Sequence, residues 1–378
     1  MKSLSALLPR NVGRRGKIIW IVVGVLFAYS LPLLELPLIS TPDVDFAGVL
    51  FTMAIYVLVA LGLNVVVGYA GLLDLGYVGF YAIGAYSVAM LTAEHGSLGW
   101  FAALPVAVAV AMVSGVLLGG PTLRVRGDYL AIVTLGFGEI IRLMAVNSDW
   151  LGAAAGVTKI PAPPNIGSDS AGIFAIPHLN WDAGYPLIDL SNKTEFLKFG
   201  VLDATPYYWL ALTFVILILI ADVRVKDSRV GRAWEALRED EDAAELMGVP
   251  TFRYKLLAFA LGAFVGGLAG ALFATRQGFV NPQSFQLLLS MLFVAAVVVG
   301  GQGNRWGVIV GAMLVVYIPE RFRGFADFRV LLFGLALMLL ATWRPQGLLP
   351  PLRTIKARAM REKLADLESG DDPEASNA

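Results

Sequence analysis

Apolar runs follow one another along this chain, at 18–34, 47–67, 72–93, 99–119, 129–146, 207–222, 256–274, 285–300, 306–319 and 330–343, with polar connections between them. A helix needs roughly 20 residues to cross the ~30 Å hydrocarbon core of a bilayer; most of these runs supply them, and the last two are short. Lipid offers no partner for a backbone N–H or C=O, so such a chain folds as helices whose hydrogen bonds stay inside each span. The expectation is an all-α integral membrane protein of about ten transmembrane helices. Its 378 residues are 57% hydrophobic and 15% charged, outside the range of soluble domains. Forty glycines suit helices that approach closely in lipid, where packing of small residues drives association.

The basic residues give an orientation. With the N-terminus inside, the inner connections and termini hold twenty-one Lys and Arg and the outer loops seven, while Arg142 falls within a span. Positive charge stays on the cytoplasmic side, so both termini are expected there. The chain then divides into a cytoplasmic segment 1–17, a membrane domain 18–349 and a cytoplasmic tail 350–378. Within the membrane domain lie an outer loop at 147–206 and a cytoplasmic loop at 224–255. Lys2, Arg10, Arg14, Arg15 and Lys17 ahead of the first run imitate a secretory leader; the apolar stretch continues past Ala28 and Ser30, which favours an uncleaved first span. Six prolines, from Pro161 to Pro206, break regular structure in the outer loop. Its Phe174, Ile176, Trp181, Tyr185 and Phe196 are too apolar for a disordered tether, so the loop is expected to fold over the mouth of the bundle. The tail passes from basic to acidic and reads as membrane-surface contact followed by a solvated end.

The longest polar insert on the inner side is 228–250. Read as a helix, it places Val230, Ala233, Trp234 and Leu237 on one apolar stripe and turns Arg232, Glu235, Arg238 and Glu239 away from it. Asp227 and Ser228 suit its start. Glu239, Asp240, Glu241 and Asp242 gather carboxylates where a second short helix would begin, and Gly248 followed by Pro250 would stop that helix. Ala243 and Ala244 carry almost no side chain, so this turn can lie close against a partner with a basic groove. A solvated loop is the plainer reading of the same charges.

A second landmark runs from 63 to 86. Gly68, Gly71 and Gly76, with Asn64, Tyr69 and Asp74 among them, interrupt the apolar run between two spans. Backbone that leaves the helix at membrane depth needs protein or a water-filled path to satisfy it, so this is either a pathway-lining re-entrant segment or a tight interhelical turn. Gly76, Gly79, Phe80 and Gly84 then recur at the spacing of a helix interface. Gly300, Gly301, Gly303, Gly307 and Gly311 repeat this punctuation, which raises the expectation of two five-helix halves. Glu139 and Arg142 lie three apart in one span. They either face a cavity or neutralise each other near the outer interface, where Arg142 can snorkel. Together Asn64, Tyr69, Gly71, Asp74, Gly76, Phe80, Glu139 and Arg142 form the candidate translocation path.

Several chemistries are absent from the sequence. Zero cysteines and only His95 and His178 leave no metal site to build, and a formal charge of zero gives no reason for a nucleic-acid partner. No G-x-x-x-x-G-K-[ST] phosphate loop occurs, so the chain does not power transport alone. A membrane enzyme would need a G-x-S-x-G serine or a His-rich motif, and neither occurs. An ion-coupled carrier would need an unpaired carboxylate at mid-membrane; Asp74, beside a turn, is the candidate.

The run Gly-Arg-Ala-Trp-Glu-Ala-Leu-Arg-Glu-Asp-Glu at 231–241 resembles the coupling loop, an EAA-like motif, of the LivM-type permeases of bacterial branched-chain amino-acid ABC importers. Gly-Gly-Gln-Gly-Asn at 300–304 and the ending Trp-Arg-Pro-Gln-Gly-Leu-Leu at 343–349 extend the resemblance, which runs from about Ala54 to Leu349. It implies an ABC importer permease bundle in the bacterial inner membrane. A second, LivH-type permease would pair with it, two ATPase subunits would carry the ATP and Mg below, and a periplasmic solute-binding protein would sit above. No cofactor would belong to this chain. The resemblance further implies that the loop with Trp234, Glu235, Arg238, Glu239, Asp240, Asp242, Ala243, Ala244 and Gly248 lies in a groove of one ATPase. Leucine, isoleucine and valine are the implied substrates. Related permeases move other amino acids, urea or short amides.

Overall fold

The computed structural model describes residues 14–34, 45–93, 96, 98–122, 127–165, 175–180, 187–195, 198–200, 203–321, 334–335, 338, 342 and 347–349. The tenth expected span, 330–343, the first thirteen residues and the tail lie largely or wholly outside them. The described helices are α1 (Arg14–Leu34), α2 (Phe46–Leu63), α3 (Tyr77–Thr92), α4 (Trp100–Thr122), α5 (Asp128–Asn147), α6 (Thr205–Lys226), α7 (Arg229–Glu239), α8 (Glu241–Leu246), α9 (Thr251–Gln277), α10 (Leu287–Gly300) and α11 (Arg305–Arg321). Five stretches are long and apolar enough to cross a membrane, and three shorter apolar helices accompany them.

The 27-residue α9 is the axis, with α2, α3 and α4 packed around it. Small residues make this possible. A Cβ on Gly84 would lie 2.0 Å from the Gly267 carbonyl oxygen, and one on Gly270 would lie 1.9 Å from that of Tyr81, so α3 and α9 touch backbone to backbone. Of the glycines spaced for a helix interface, Gly84 faces α9, while Gly76 and Gly79 face Thr134 and Phe137 of α5. On its other flank α2 meets α6, α10 and α11, and α5 lies against α3. At the end of the bundle that holds the start of α10, Tyr81 packs its ring against Phe273, Phe285 and Phe293, with centroids 5.5–5.8 Å apart.

The segment expected to fold over the mouth does carry structure, and it corrects the all-α expectation. Strands β1 (Ala175–Asn180) and β2 (Leu187–Glu195) pair antiparallel, with a register shift between Pro177 and His178. Proline has no N–H to give to the ladder, so a break in register at that point is where it can be tolerated. Val157 and Val280 exchange backbone hydrogen bonds at 2.8 Å, and Ile160 N–H donates to Gly278 at 3.0 Å, which ties this loop to the α9–α10 connection. Pro206 does not break structure; it stands in the first turn of α6, where its missing N–H costs nothing.

A second correction concerns α3, whose run was expected to begin at 72 and begins at Tyr77. After α2 the chain makes a π-helical turn, Asn64–Tyr69, and then runs without helical structure from 70 to 76, with Gly71 at φ +73°. The Tyr77 hydroxyl donates to the Gly262 carbonyl (2.7 Å), near the middle of α9, so α3 starts at mid-depth. The chain therefore runs extended from the π turn to α3, a longer break in helical structure than a tight turn.

Candidate functional site

Ser228 caps α7 with its hydroxyl oxygen accepting from the Val230 and Gly231 N–H groups (3.1 and 3.4 Å). Along α7, Ala233, Trp234 and Leu237 of the expected stripe are buried together with Gly231, and Val230 is half-buried. Trp234 is enclosed completely, and its indole N–H donates to the Tyr254 carbonyl in the first turns of α9 (2.7 Å). Asp240 caps α8 through the Ala243 N–H (3.0 Å). Gly248, at φ +83°, ends it, with Gly248 N–H donating to Glu245 (2.9 Å) and Val249 N–H to Ala244 (3.0 Å). Glu241 pairs with Lys255 of α9. The insert 228–250 is thus a rigid helix pair clamped to the bundle on one face.

Its other face is exposed. Glu239, Asp240, Asp242, Ala243 and Gly248 lie on it, and Glu235 is half-buried. Ala244 does not lie there: it is buried against the bundle, because neighbouring residues on the α8 helix point about 100° apart. Leu246 and Met247, 88% and 85% exposed, complete the face. They were not singled out from the sequence, where two apolar residues before a Gly-Val-Pro stop look like ordinary core.

Arg238 turns away from the apolar stripe and is exposed, and it lies along the two glycine turns: its guanidinium donates to the Gly68 carbonyl, its Cγ covers Gly71 and its Nη1 faces Gly303. A side chain at Gly71 would meet that Cγ at 2.8 Å, so the absence of a Cβ there makes room for the arginine. Partial desolvation lowers the Arg238 pKa from its usual value, and an arginine still keeps its charge.

The two glycine turns meet at this point. Gly303 N–H donates to Asn64 Oδ1 (2.8 Å), and Lys226 Nζ donates to the Gly303 carbonyl (2.8 Å) while standing 4.8 Å over the Tyr69 ring. The Tyr69 hydroxyl donates to Asp222 Oδ2 (3.2 Å), which Arg305 also contacts (2.9 Å) in a fully buried ion pair. Leu348 and Leu349 N–H groups donate to Val299 and Gly300 (2.8 and 3.1 Å), so residues 348–349 close on the same turn. Residues of the two glycine turns, Gly68, Gly71 and Gly303, thus meet at one junction. Asp222, Lys226 and Arg305 were missed because charges at the ends of apolar runs look like loop residues.

Of the candidate path residues, Asn64, Tyr69 and Gly71 join this junction. Asp74 and Gly76 lie at the end of the extended segment, and Phe80 packs on Tyr77 and Phe137 (5.9 and 5.3 Å). The segment is gripped there: Thr134 of α5 accepts from Leu75 N–H (3.1 Å), Ser290 of α10 donates to the Leu75 carbonyl, and a Cβ on Gly76 would lie 1.7 Å from the Thr134 carbonyl oxygen. Asp74 is 0% exposed; Oδ1 accepts from Gly76 N–H (2.9 Å) and Oδ2 has no partner. Its place is mid-depth, deeper than a turn between spans. Glu139 and Arg142 bond to each other in a bidentate pair on the outer flank of α5, with side chains 39% and 20% exposed. Glu139 also borders a small, water-sized cleft with Leu75, Val78, Leu135, Gly138, Phe285 and Leu287.

Apolar spanning helices around a glycine-seamed axis, broken by an extended segment and carrying an external helix pair, define a multi-pass membrane protein of the permease class. Residues 46–342 match the family model for the permease component of branched-chain amino acid transport systems, and the chain belongs to that family. It is 45% identical over 318 residues, 84% of this chain and 72% of the other, to the high-affinity branched-chain amino acid transport system permease protein LivM of Escherichia coli K12. The probable branched-chain amino acid transport permease protein LivM of Methanocaldococcus jannaschii is 23% identical over 346 residues, 84% of this chain and 97% of the other. The permease protein LivH of Escherichia coli K12 is also 23% identical, over 75% of this chain and 89% of its own. No solved structure matches the chain.

Proposed function

We propose that this chain is the transmembrane permease subunit of an ATP-driven importer of leucine, isoleucine and valine. The observation that carries the reading is the 228–250 helix pair, clamped to the bundle on one face, exposed on the other, and joined through Arg238 to both glycine turns. Such a two-state lever lets a cytoplasmic event bias helices at mid-membrane. Two ATPase subunits with ATP and Mg dock under it, and a periplasmic solute-binding protein delivers substrate near the 147–206 loop. A LivH-type permease pairs with the chain in the bacterial inner membrane. The bundle has ten spans with both termini in the cytoplasm, following the distribution of basic residues. This chain holds no cofactor of its own.

The test is uptake of labelled leucine in cells that carry the chain with its co-encoded partners, with ATP depleted at constant proton gradient in a parallel sample. Loss of uptake on depletion supports the reading. Uptake that survives depletion favours an ion-coupled carrier, a second reading that the unpartnered Asp74 carboxylate makes specific.

Within this reading the two alanines of α8 behave differently. Ala243→Trp alters the exposed face alone, so membrane levels stay normal while uptake falls roughly tenfold or more, the equivalent of ~1.4 kcal/mol of lost docking. Ala244→Trp overpacks a buried site at a cost of about 1–3 kcal/mol and lowers the amount of folded protein first. Membrane blots beside uptake rates separate the two; full uptake by Ala243→Trp would remove that face from the ATPase contact.

A further inference from the structure

Helix α5 is long and apolar enough to cross a membrane, and most of it is bare. Its exposed Ile132, Val133, Ile140, Leu143 and Met144 recur at three-and-four spacing and form one stripe centred on Gly136. Nothing lies within 4 Å of the point where a Cβ on Gly136 would stand, so the stripe is notched at its middle. Helix α4 is bare as well. Its exposed face presents Phe101, Val110, Val113 and Leu117, and no charged residue occurs anywhere along it, so that face suits lipid. On α5, by contrast, Glu139 stands about 2 Å past the midpoint of the helix and Arg142 about 7 Å, at 1.5 Å per residue. Both side chains stay partly exposed beside the stripe. Charged groups at that depth face protein or water and not hydrocarbon. Because the two bond to each other, whatever covers them needs no countercharge.

We infer that this face of α5 is the seam with the second, LivH-type permease. The inference rests on the two-permease reading above and places its contact. A LivH relative is similar to this chain along most of both lengths, and two chains of one plan pair about an approximate two-fold axis by presenting the same face. The partner's counterpart of α5 thus crosses α5 at Gly136, where a missing side chain lets two backbones approach. In lipid such packing drives association, since apolar surface there gains nothing by leaving water. The other side of α5 holds the extended segment, through Thr134 to Leu75 and through the close approach of Gly76 to the Thr134 backbone. A shift at the seam therefore reaches residues 74–76 through one helix.

The test tags this chain in cells that carry its co-encoded partners and compares wild type with Gly136→Trp. A side chain at 136 starts in open space, so tryptophan obstructs a partner and not its own bundle. The expected result is an unchanged amount of this chain in the membrane and a roughly 10- to 100-fold loss of the second permease recovered with it, the range of an overpacked contact. Val113→Trp, on the bare face of α4, is expected to leave recovery unchanged. A second measurement stands whether or not Gly136→Trp folds. The chain has no cysteine, so Ile140→Cys takes a single benzophenone label, with the partner freed of its own cysteines. Irradiation in native membranes is expected to join that position to the second permease, identified by the mass of the cross-linked peptides. Full recovery with Gly136→Trp overturns the inference. So does an adduct with lipid alone, or with a second copy of this chain. Wild-type chain that recovers no second permease fails the two-permease reading itself, a result that neither variant affects.

Discussion

Replacing Arg305 with leucine is expected to destabilise the folded protein by about 3–5 kcal/mol, the cost of leaving a buried carboxylate without its partner. Asp222 and Arg305 are each about 4% exposed by side chain and 2.9 Å apart. Asp222 belongs to the last turns of α6 and Arg305 opens α11, so the pair fastens two helices far apart in sequence at the end where the glycine turns meet. The Tyr69 hydroxyl completes the carboxylate on one oxygen, and Oδ1 has no hydrogen-bond partner. Removing the guanidinium therefore strands a charge that is already incompletely satisfied. The double variant Arg305→Leu with Asp222→Leu is expected to recover most of the loss, because an apolar pair of similar size needs no compensation. The check is the temperature at which detergent-solubilised protein loses its monodisperse peak, beside the steady-state amount in membranes. A single variant as stable as wild type would mean that water or Lys226 neutralises Asp222 at this site.

Arg238→Ala is expected to cut leucine uptake roughly 10- to 100-fold while the assembled complex continues to hydrolyse ATP, since a hydrogen bond from a charged donor to a buried carbonyl is lost. The arginine is the described side chain of α7 that reaches both glycine turns, through the Gly68 carbonyl and the space over Gly303. Without it, motion of the helix pair no longer moves the base of the segment that carries Asp74. Arg238→Lys is expected to recover part of the uptake, because an ammonium can reach one carbonyl and lacks the planar fork that spans the gap. The measured quantity is leucine moved per ATP hydrolysed. A ratio equal to wild type in the alanine variant would show that the coupling runs through other contacts, with Trp234 and Tyr254 as the next to test.

Much of this molecule is legible in one dimension. The apolar runs locate the spanning helices to within a few residues, because lipid imposes the same length and polarity on every span. The 228–250 unit was legible down to a starting cap at Asp227 or Ser228, of which Ser228 serves, and its stop at Gly248, since caps and amphipathic stripes depend on neighbours three or four residues away. The break at 70–76 was visible as one of two alternatives. The pairing of 175–180 with 187–195 was not, for the prolines signalled irregular structure more strongly than the short strands signalled pairing.

The sequence by itself located most of the described apolar helices and the amphipathic helix pair at 228–250, though not the start of α3. The tertiary structure alone decided which residues meet. Arg238 bonds to Gly68 across 170 positions and Asn64 to Gly303 across 239, distances at which no periodicity carries information. The same holds for the depth of Asp74, which depends on how far the chain climbs beside α9 after its π turn, and for Ala244, whose burial follows from the way α8 lies on the bundle. Local patterns are fixed by backbone geometry and solvent, whereas these contacts exist only once separate helices have packed.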